Sequence, residues 1–314
     1  MAASDSFQAG WNFLGLPEEL SRAGKAAAWV LPVPYEATTS YGAGTRNGPA
    51  AILAASRQVE LYDPEFDCEP ASEFGVHTLP ALEPAHDSPA AMIERTAAAV
   101  RAVLSGAPAP RLLALLGGEH SLTAGAVRGT AAAAPDEDLV CVQIDAHADL
   151  RDEYEGSAYS HACAARRILD TCPLFQVGVR NLSAEGAAFL RRNDRVRTVF
   201  ARDALRDPSF PARLAEFVRG KSVYLTIDVD GLDPAIMPAV GTPEPGGLSW
   251  DSMLDIARTV CREAARLRVF DVVELAPIPG LAAPDFLCAR LAYKIMSLAL
   301  MPEGRGAQTG AQKP

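Results

Sequence analysis

The sequence predicts an α/β protein of three layers, in which helices cover both faces of a central, mostly parallel sheet of about eight strands. Short apolar runs alternate with helical patterns along the 314 residues, as in repeated βα units. The runs are apolar at successive positions, which indicates strands buried on both faces, the situation typical of parallel sheets. No linker rich in Pro, Ser or Gly divides the chain, so residues 1–301 are expected to form one domain.

Eight segments are predicted as strands because they are short, apolar or β-branched, and followed by turn-forming residues. In chain order they are Ala26–Val33, Glu73–His77, Arg111–Leu116, Leu139–Ile144, Leu174–Val179, Thr198–Phe200, Val223–Ile227 and Val269–Val273.

The segments between these strands show helical periodicity or residues that favour helix starts. They predict helices over Ala50–Ser56, Pro89–Ser105, Ser121–Thr130, Ala162–Leu169, Ala184–Arg192, Pro211–Val218, Trp250–Glu263 and Asp285–Leu300.

The composition narrows the function classes. A formal charge of −10, from 29 basic and 39 acidic residues, argues against nucleic acid or an anionic membrane as a partner. Six cysteines lie without metal-binding spacing, which favours reduced thiols in a cytoplasmic protein. The first residues lack the pattern of a signal peptide, and no apolar run reaches the roughly 20 residues that span a bilayer. The final stretch, Pro302–Pro314, is expected to be disordered.

Three potential metal ligands follow the fourth predicted strand at alternate positions: Asp145, His147 and Asp149. In an extended segment, side chains two and four residues apart point to one side, so these three share a face. Carboxylates this close together repel each other unless a cation lies between them. An acidic surface turn is the alternative interpretation.

Two other predicted strands also end in candidate ligands. His120 follows Arg111–Leu116 through a Gly-Gly turn, and Asp228 and Asp230 follow Val223–Ile227. In open α/β sheets ligands bind outside the carboxyl ends of the strands, so all three ends can converge on one crevice. The second acidic segment can also be interpreted as an acidic turn or calcium-like loop, but it lacks the glycine and terminal glutamate of a helix-loop-helix calcium site.

These six residues match the needs of two metal ions. Four carboxylates and two imidazoles can give each ion four ligands if two carboxylates bridge ions about 3.5 to 4 Å apart. Oxygen-rich ligands, one histidine per ion and no thiolate favour manganese over zinc, with iron and nickel left open. Paired ions lower the pKa of water and generate hydroxide near neutral pH.

Four segments together resemble the ureohydrolases, the family of arginase, agmatinase and formiminoglutamase. The order and spacing of the segments match the family from about Pro32 to Leu300, and the segments are Gly117–Ser121, Asp145–Asp149, Asp228–Pro234 and Gly241–Leu248. The resemblance implies an arginase-like fold, a binuclear manganese centre and assembly as a homotrimer or homohexamer. It also implies a metal-bridging hydroxide that attacks a guanidinium carbon and releases urea and an amine.

The same resemblance implies how the ligands divide. Asp145 and Asp228 are expected to bridge the ions. One ion would take His120, Asp145, Asp149 and Asp228, and the other Asp145, His147, Asp228 and Asp230.

Two further residues fit roles that this reaction needs. The departing amine needs a proton, and His161 resembles the proton-shuttle histidine of the family; a helix-start histidine bonded to backbone is the alternative. Glu274 follows an apolar strand and resembles the family's clasp for the planar guanidinium; a structural salt bridge is the alternative. His77 and His86 are expected to have no catalytic role.

The loop Leu150–Tyr159 guides the choice of substrate. It lacks the asparagine with which arginase binds the amino-acid end of arginine, and it carries Asp152, Glu153 and Glu155, which suit an ammonium tail. Arg151 opposes that preference, and a solvated acidic loop is the alternative.

Three blocks resemble those of agmatinase: Thr38–Tyr41, Tyr159–Ala162 and Glu274–Pro277. This resemblance implies hydrolysis of agmatine to putrescine and urea in polyamine synthesis. Aminopropylagmatine, guanidinobutyrate and guanidine remain alternative substrates. A non-catalytic polyamine-binding protein and a metal-dependent deacylase are alternatives of another class. Two positions depart from the common family pattern: Glu119, where many members carry aspartate, and Val240.

Overall fold

The computed structural model describes residues 12–301, so the predicted disordered segment Pro302–Pro314 lies outside the described residues. Eight strands are present in this part of the chain. They are β1 (Ala28–Val33), β2 (Val76–Thr78), β3 (Leu112–Gly117), β4 (Leu139–Ile144), β5 (Leu174–Val179), β6 (Val196–Phe200), β7 (Ser222–Asp228) and β8 (Arg266–Val273).

All eight strands belong to one sheet with the order β2-β1-β3-β8-β7-β4-β5-β6. Every pairing in the sheet is parallel. The predicted central sheet of about eight strands is therefore confirmed, and it is wholly parallel.

Helices connect the strands. They are α1 (Glu18–Ser21), α2 (Gly48–Ser56), α3 (Pro70–Phe74), α4 (Pro89–Ser105), α5 (Leu122–Ala133), α6 (Ala164–Ile168), α7 (Ala184–Leu190), α8 (Ala201–Ala204), α9 (Phe210–Val218), α10 (Trp250–Glu263) and α11 (Ala283–Leu300).

Each face of the sheet packs against its own apolar cluster, because successive strand side chains point to opposite faces. On β3, Leu112, Ala114 and Leu116 belong to the cluster formed with α2, α9, α10 and α11. Leu113 and Leu115 belong to the opposite cluster, formed with α4, α5 and α6. The result is the predicted three-layer arrangement.

One predicted strand is wrong in its first half. Glu73 was expected to begin a strand, but it lies in the short helix α3, and β2 begins at Val76. Pro70 occupies the first turn of α3, where its missing N–H costs nothing, and Gly75 ends the helix with φ +65°. The short helices α1 and α8 were not predicted, because four residues carry too little periodicity to be recognised.

The parallel sheet decides where a site can form, because all carboxyl ends of the strands lie along one edge. The strands β3, β8, β7 and β4 are consecutive neighbours in the sheet. The chain segments that follow them therefore meet in one place. Among the described residues, no helix is both long and apolar enough to cross a membrane.

Candidate metal centre

The first ligand segment turns sharply after β3. Gly118 accepts no side chain, because a Cβ there would lie 1.8 Å from the carbonyl oxygen of Tyr35. His120 lies two residues before α5, with only 1% of its surface exposed. The absence of a side chain at Gly118 thus allows the segment that leads to His120 to pass close to the backbone of Tyr35.

Three carboxylates surround the imidazole of His120. Its Nδ1 lies 3.1 Å from Asp145 Oδ2 and 3.3 Å from both Asp149 Oδ2 and Asp228 Oδ2. Although it is buried, Nδ1 has no hydrogen-bond partner among the described residues. A nitrogen lone pair that faces three carboxylate oxygens without a hydrogen bond is suited to share a cation with them.

A second cluster adjoins the first. Nδ1 of His147 lies 2.8 Å from Asp230 Oδ2 and 3.7 Å from Asp145 Oδ1. Asp145 turns its other oxygen toward His120, so this carboxylate belongs to both clusters. The ligand atoms within each set, His120 with Asp145 and Asp149, and Asp145 with His147 and Asp230, lie within 4.8 Å of one another. The residues fit two neighbouring cations with Asp145 between them.

The electrostatics of the cluster agree with that fit. Burial raises the pKa of Asp228 well above its usual range, and repulsion from Asp230 and Asp145 raises it further. Burial opposes the charged form of His147, but hydrogen bonds to Asp145 and Asp230 outweigh it and raise the pKa of His147 to about 12. A divalent cation bound among these groups would offset the repulsion between the carboxylates and would compete with protons for the imidazole nitrogens.

A buried polar chain orients His120 from behind. Its Nε2 lies 2.9 Å from Thr226 Oγ1, and Thr226 bonds in turn to the buried carboxylate of Asp271. Asp271 also accepts hydrogen bonds from Tyr224 at 2.6 Å and Thr123 at 2.7 Å. When Nε2–H donates to Thr226, the tautomer leaves Nδ1 free for a metal ion.

A second series of hydrogen-bonded side chains supports Asp145. Gln143 Nε2 donates to Asp145 Oδ2 at 2.6 Å, and Gln176 Nε2 donates to Gln143 Oε1 at 2.9 Å. Thr198 closes the chain by donating to Gln176 at 2.9 Å. Because Asp145, Gln143 and Gln176 are fully buried, these bonds fix the carboxylate and leave no polar group of the chain unsatisfied.

His161 and Glu274 lie beside the ligands. They line a cavity of about 200 Å³ together with His147, Asp149 and Asp230. His161 Nδ1 lies 3.9 Å from Glu274 Oε1, and His161 Nε2 is buried without a hydrogen-bond partner in the described part of the chain. An unpartnered imidazole nitrogen at a cavity is available to exchange a proton with a bound molecule.

The backbone of Glu274 adopts a left-handed conformation that residues other than glycine rarely take. Its φ is +67°, and Asp149 has φ +49°. Such backbone strain persists where surrounding contacts impose it: Glu274 N donates to Gly118 O at 2.9 Å, and His120 N donates to Glu274 Oε1 at 2.6 Å. Burial raises the pKa of Glu274 well above its usual range, so a cationic group in the cavity would favour its charged form.

Comparison with known proteins shows the family of this chain. The sequence model of the arginase family matches residues 26–298, most of the chain. The chain belongs to the arginase family. The family predicted from the four sequence segments is therefore confirmed.

Three individual proteins show how similar the chain is to relatives with a named activity. The chain is 37% identical over 284 residues to an N(1)-aminopropylagmatine ureohydrolase of Synechocystis, covering 89% of this chain and 91% of that protein. It is 33% identical over 253 residues to an agmatinase of Pyrococcus horikoshii, covering 79% and 83%. The crystal structure of the agmatine ureohydrolase of Thermoplasma volcanium superposes with a TM-score of 0.74 at 28% identity, covering 89% and 92%.

The carboxylates of the loop Leu150–Tyr159 do not line the cavity. The cavity lining includes Arg151 and Tyr154 of the loop, but not Asp152, Glu153 or Glu155. Asp152 is exposed and pairs with Arg167 at 2.6 Å. The structure thus brings the six ligands, His161 and Glu274 together, and it does not bring the three loop carboxylates to the cavity.

The sequence reasoning missed the residues that support the ligands. Gln143, Thr226 and Asp271 are polar side chains inside apolar strands, and all three are fully buried. Burying such groups is unfavourable unless they are hydrogen-bonded, so a polar residue in a buried strand is itself a signal. The signal marks a supported site, although it does not identify the partner.

Proposed function

We propose that this protein is a metal-dependent ureohydrolase that hydrolyses agmatine to putrescine and urea. The observation that carries the proposal is one cavity of about 200 Å³ at which four of the candidate ligands meet His161 and Glu274, while the buried His120 and Asp145 lie directly behind them. A non-catalytic member of the family would not need an unpartnered histidine beside the ligands.

The residues divide the chemistry between them. Two divalent ions, when bound, would lower the pKa of water at the site and supply a hydroxide nucleophile near neutral pH. The carboxylate of Glu274 would accept hydrogen bonds from the planar guanidinium and orient its carbon. His161 would give a proton to the nitrogen that leaves with the alkyl chain, so that the amine departs neutral and urea keeps the oxygen of water.

We propose manganese as the metal. The ligand set contains four carboxylates, one imidazole for each ion and no thiolate, a composition that suits manganese better than zinc. Nickel and iron tolerate the same ligands and belong in the test.

Aminopropylagmatine is the second candidate substrate. It is favoured by the 37% identity to a protein named N(1)-aminopropylagmatine ureohydrolase, against 33% to one named agmatinase. Both compounds present a guanidinium at one end and cationic nitrogen at the other. The sequence pattern favours Asp152, Glu153 and Glu155 for that tail, but none of the three lines the cavity and Asp152 pairs with Arg167, so we propose no direct contact of Asp152 with the substrate.

We further propose a cytoplasmic role in polyamine synthesis, with residues 1–301 as one catalytic domain of a homotrimer or homohexamer. Four buried cysteines outside disulfides support a reducing compartment: Cys141, Cys163, Cys172 and Cys288. Sedimentation velocity of the purified protein would decide the subunit number.

A urea-release screen tests the proposal. Agmatine, aminopropylagmatine, arginine, guanidinobutyrate and guanidine would each be assayed with protein loaded with manganese or with nickel. We expect the highest kcat/KM with manganese, for agmatine or aminopropylagmatine. Urea release from none of the five compounds by protein of verified metal content would overturn the proposal.

A further inference from the structure

Glu119 directly precedes the ligand His120, yet its carboxylate bonds to another part of the molecule. The residue is fully buried. Its Oε2 accepts hydrogen bonds from the backbone N–H groups of Ala37 at 2.6 Å and Thr38 at 2.7 Å. Its Oε1 accepts from the hydroxyl of Thr38 at 2.6 Å and from the hydroxyl of Ser121.

These four donors explain how a buried carboxylate is tolerated here. Within the described residues, no lysine or arginine forms an ion pair with Glu119. Burying an unpaired carboxylate is strongly unfavourable unless hydrogen bonds replace its water. Since two of the donors belong to the backbone of the loop after β1, the carboxylate fixes the course of that loop next to the metal ligands.

Thr38 extends this contact to the cavity. Its Oγ1 accepts a hydrogen bond from the backbone N–H of His161 at 2.9 Å while it donates to Glu119. Because the hydroxyl hydrogen of Thr38 points to the carboxylate of Glu119, the lone pairs of the hydroxyl oxygen can accept from the His161 N–H. The two hydrogen bonds therefore strengthen each other.

The bond matters because of where His161 lies. His161 begins the 3-10 turn His161–Cys163, and the first N–H groups of a helical turn have no partner within the turn. The Thr38 hydroxyl supplies that partner. The same carboxylate thus orders the loop at Ala37–Thr38 and, through one hydroxyl, the start of the segment that carries the cavity imidazole.

We infer that Glu119 is a positioning residue, which through the Thr38 hydroxyl holds the backbone of His161 so that its imidazole faces Glu274 across the cavity. The consequence for turnover rests on the proposed function, in which His161 carries a proton. The positional part does not, because it concerns only the placement of His161.

Thr38→Val tests the inference, since it removes the hydroxyl and keeps the shape of the side chain. Thr38→Ser keeps the hydroxyl. Thr39→Val is the matched control: its hydroxyl lies in the same loop, 3.5 Å from Glu36, and makes no hydrogen bond to Glu119 or His161 among the described residues.

Two measurements are needed. With agmatine, we expect Thr38→Val to lower kcat about 10- to 100-fold, the range for a misplaced catalytic group, while KM stays within about 2-fold and the metal content is unchanged. The single variants Thr38→Ser and Thr39→Val should both keep the kcat of the parent protein. Separately, carbethoxylation of His161 by diethyl pyrocarbonate, followed by peptide mass analysis, should be several-fold faster in Thr38→Val only.

The outcomes separate the two proposals. An unchanged modification rate at His161 in Thr38→Val overturns the positional inference, whatever the urea assay gives. A faster rate with parental kcat overturns its link to turnover. If the parent protein releases no urea from any guanidino compound, the proposed function fails, while the modification rates still decide whether the Thr38 hydroxyl, which Glu119 holds, positions His161.

Discussion

The segment after β4, which carries the proposed metal ligands Asp145 and Asp149, and the loop Leu150–Tyr159 that follows it are adjacent in sequence. They differ in the contacts that hold them in place. The side chains of Asp145 and Asp149 are 0% and 9% exposed, whereas that of Asp152 is 62% exposed. Buried polar chains fix the ligands, while a surface ion pair to Arg167 holds Asp152. The sheet thus fixes the positions of the ligands, whereas the Asp152 carboxylate is held by an exposed ion pair that contributes little free energy.

Loss of the carboxylate of Asp228, which is proposed to bridge the two ions, should have the largest effect. Asp228→Ala removes a carboxylate that lies 3.3 Å from His120 Nδ1. We expect loss of bound metal and a fall in urea release of at least about 10⁴-fold, since the hydroxide nucleophile depends on the ions. Metal content by mass spectrometry and a urea assay would measure both. Asp251→Ala, on the exposed side of α10, is the control, and parental activity in Asp228→Ala would refute the two-metal assignment.

Loss of the imidazole at the cavity should be smaller and of another kind. His161→Ala should retain both ions and lose about 10²- to 10⁴-fold in kcat, the range for general acid–base catalysis. Steady-state kinetics together with metal content would show this separation. His86→Ala, at an exposed position, should change neither. Loss of metal in His161→Ala would mean that the histidine supports the cluster instead of carrying a proton.

The sequence was informative where the sheet dictates direction. Asp145, His147 and Asp149 could be placed together because alternate residues at a strand end share a face, and parallel strands bring the other ligands to the same edge. Conversely, Glu155 and Gly156 adopt φ values of +49° and +80° in a tight hairpin between Tyr154 and Ser157. Such turn geometry decides where the loop carboxylates point, and no periodicity encodes it.

Residues that support the ligands should have an intermediate effect. Thr226→Val removes the partner of His120 Nε2 and breaks the link to Asp271. We expect metal affinity to fall about 10- to 100-fold, as is usual for the partners of metal ligands. Titration with manganese, read out by urea release, would measure it. Thr130→Val is the control, because within residues 12–301 that buried hydroxyl bonds only to Ala126 O of its own helix; equal affinities in the two variants would contradict the role of Thr226.

These supporting contacts also show why the sequence alone could not complete the site. Gln143 and Gln176 meet across neighbouring strands, and Thr226 meets Asp271 in the same way. Both pairs join residues far apart in sequence, so strand order and register must be known before either can be recognised. A polar residue in an apolar strand marks the position, but only the fold identifies its partner.

The acidic loop should show the smallest effect. Asp152→Asn removes a carboxylate that already pairs with Arg167 and does not line the cavity. We expect KM for agmatine to change by less than about 3-fold, since exposed pairs contribute little. A rise of 10-fold or more, with kcat unchanged, would show that Asp152 turns toward the substrate tail and would remove the contrast between the two regions.

We expect two cations to lie between His120 and His147, with Asp145 shared by both. Anomalous diffraction at the manganese edge, from crystals of manganese-loaded protein, tests it most directly. We expect two peaks about 3.5 to 4 Å apart, one beside each histidine Nδ1. A single peak, or two peaks that do not share Asp145, would contradict it.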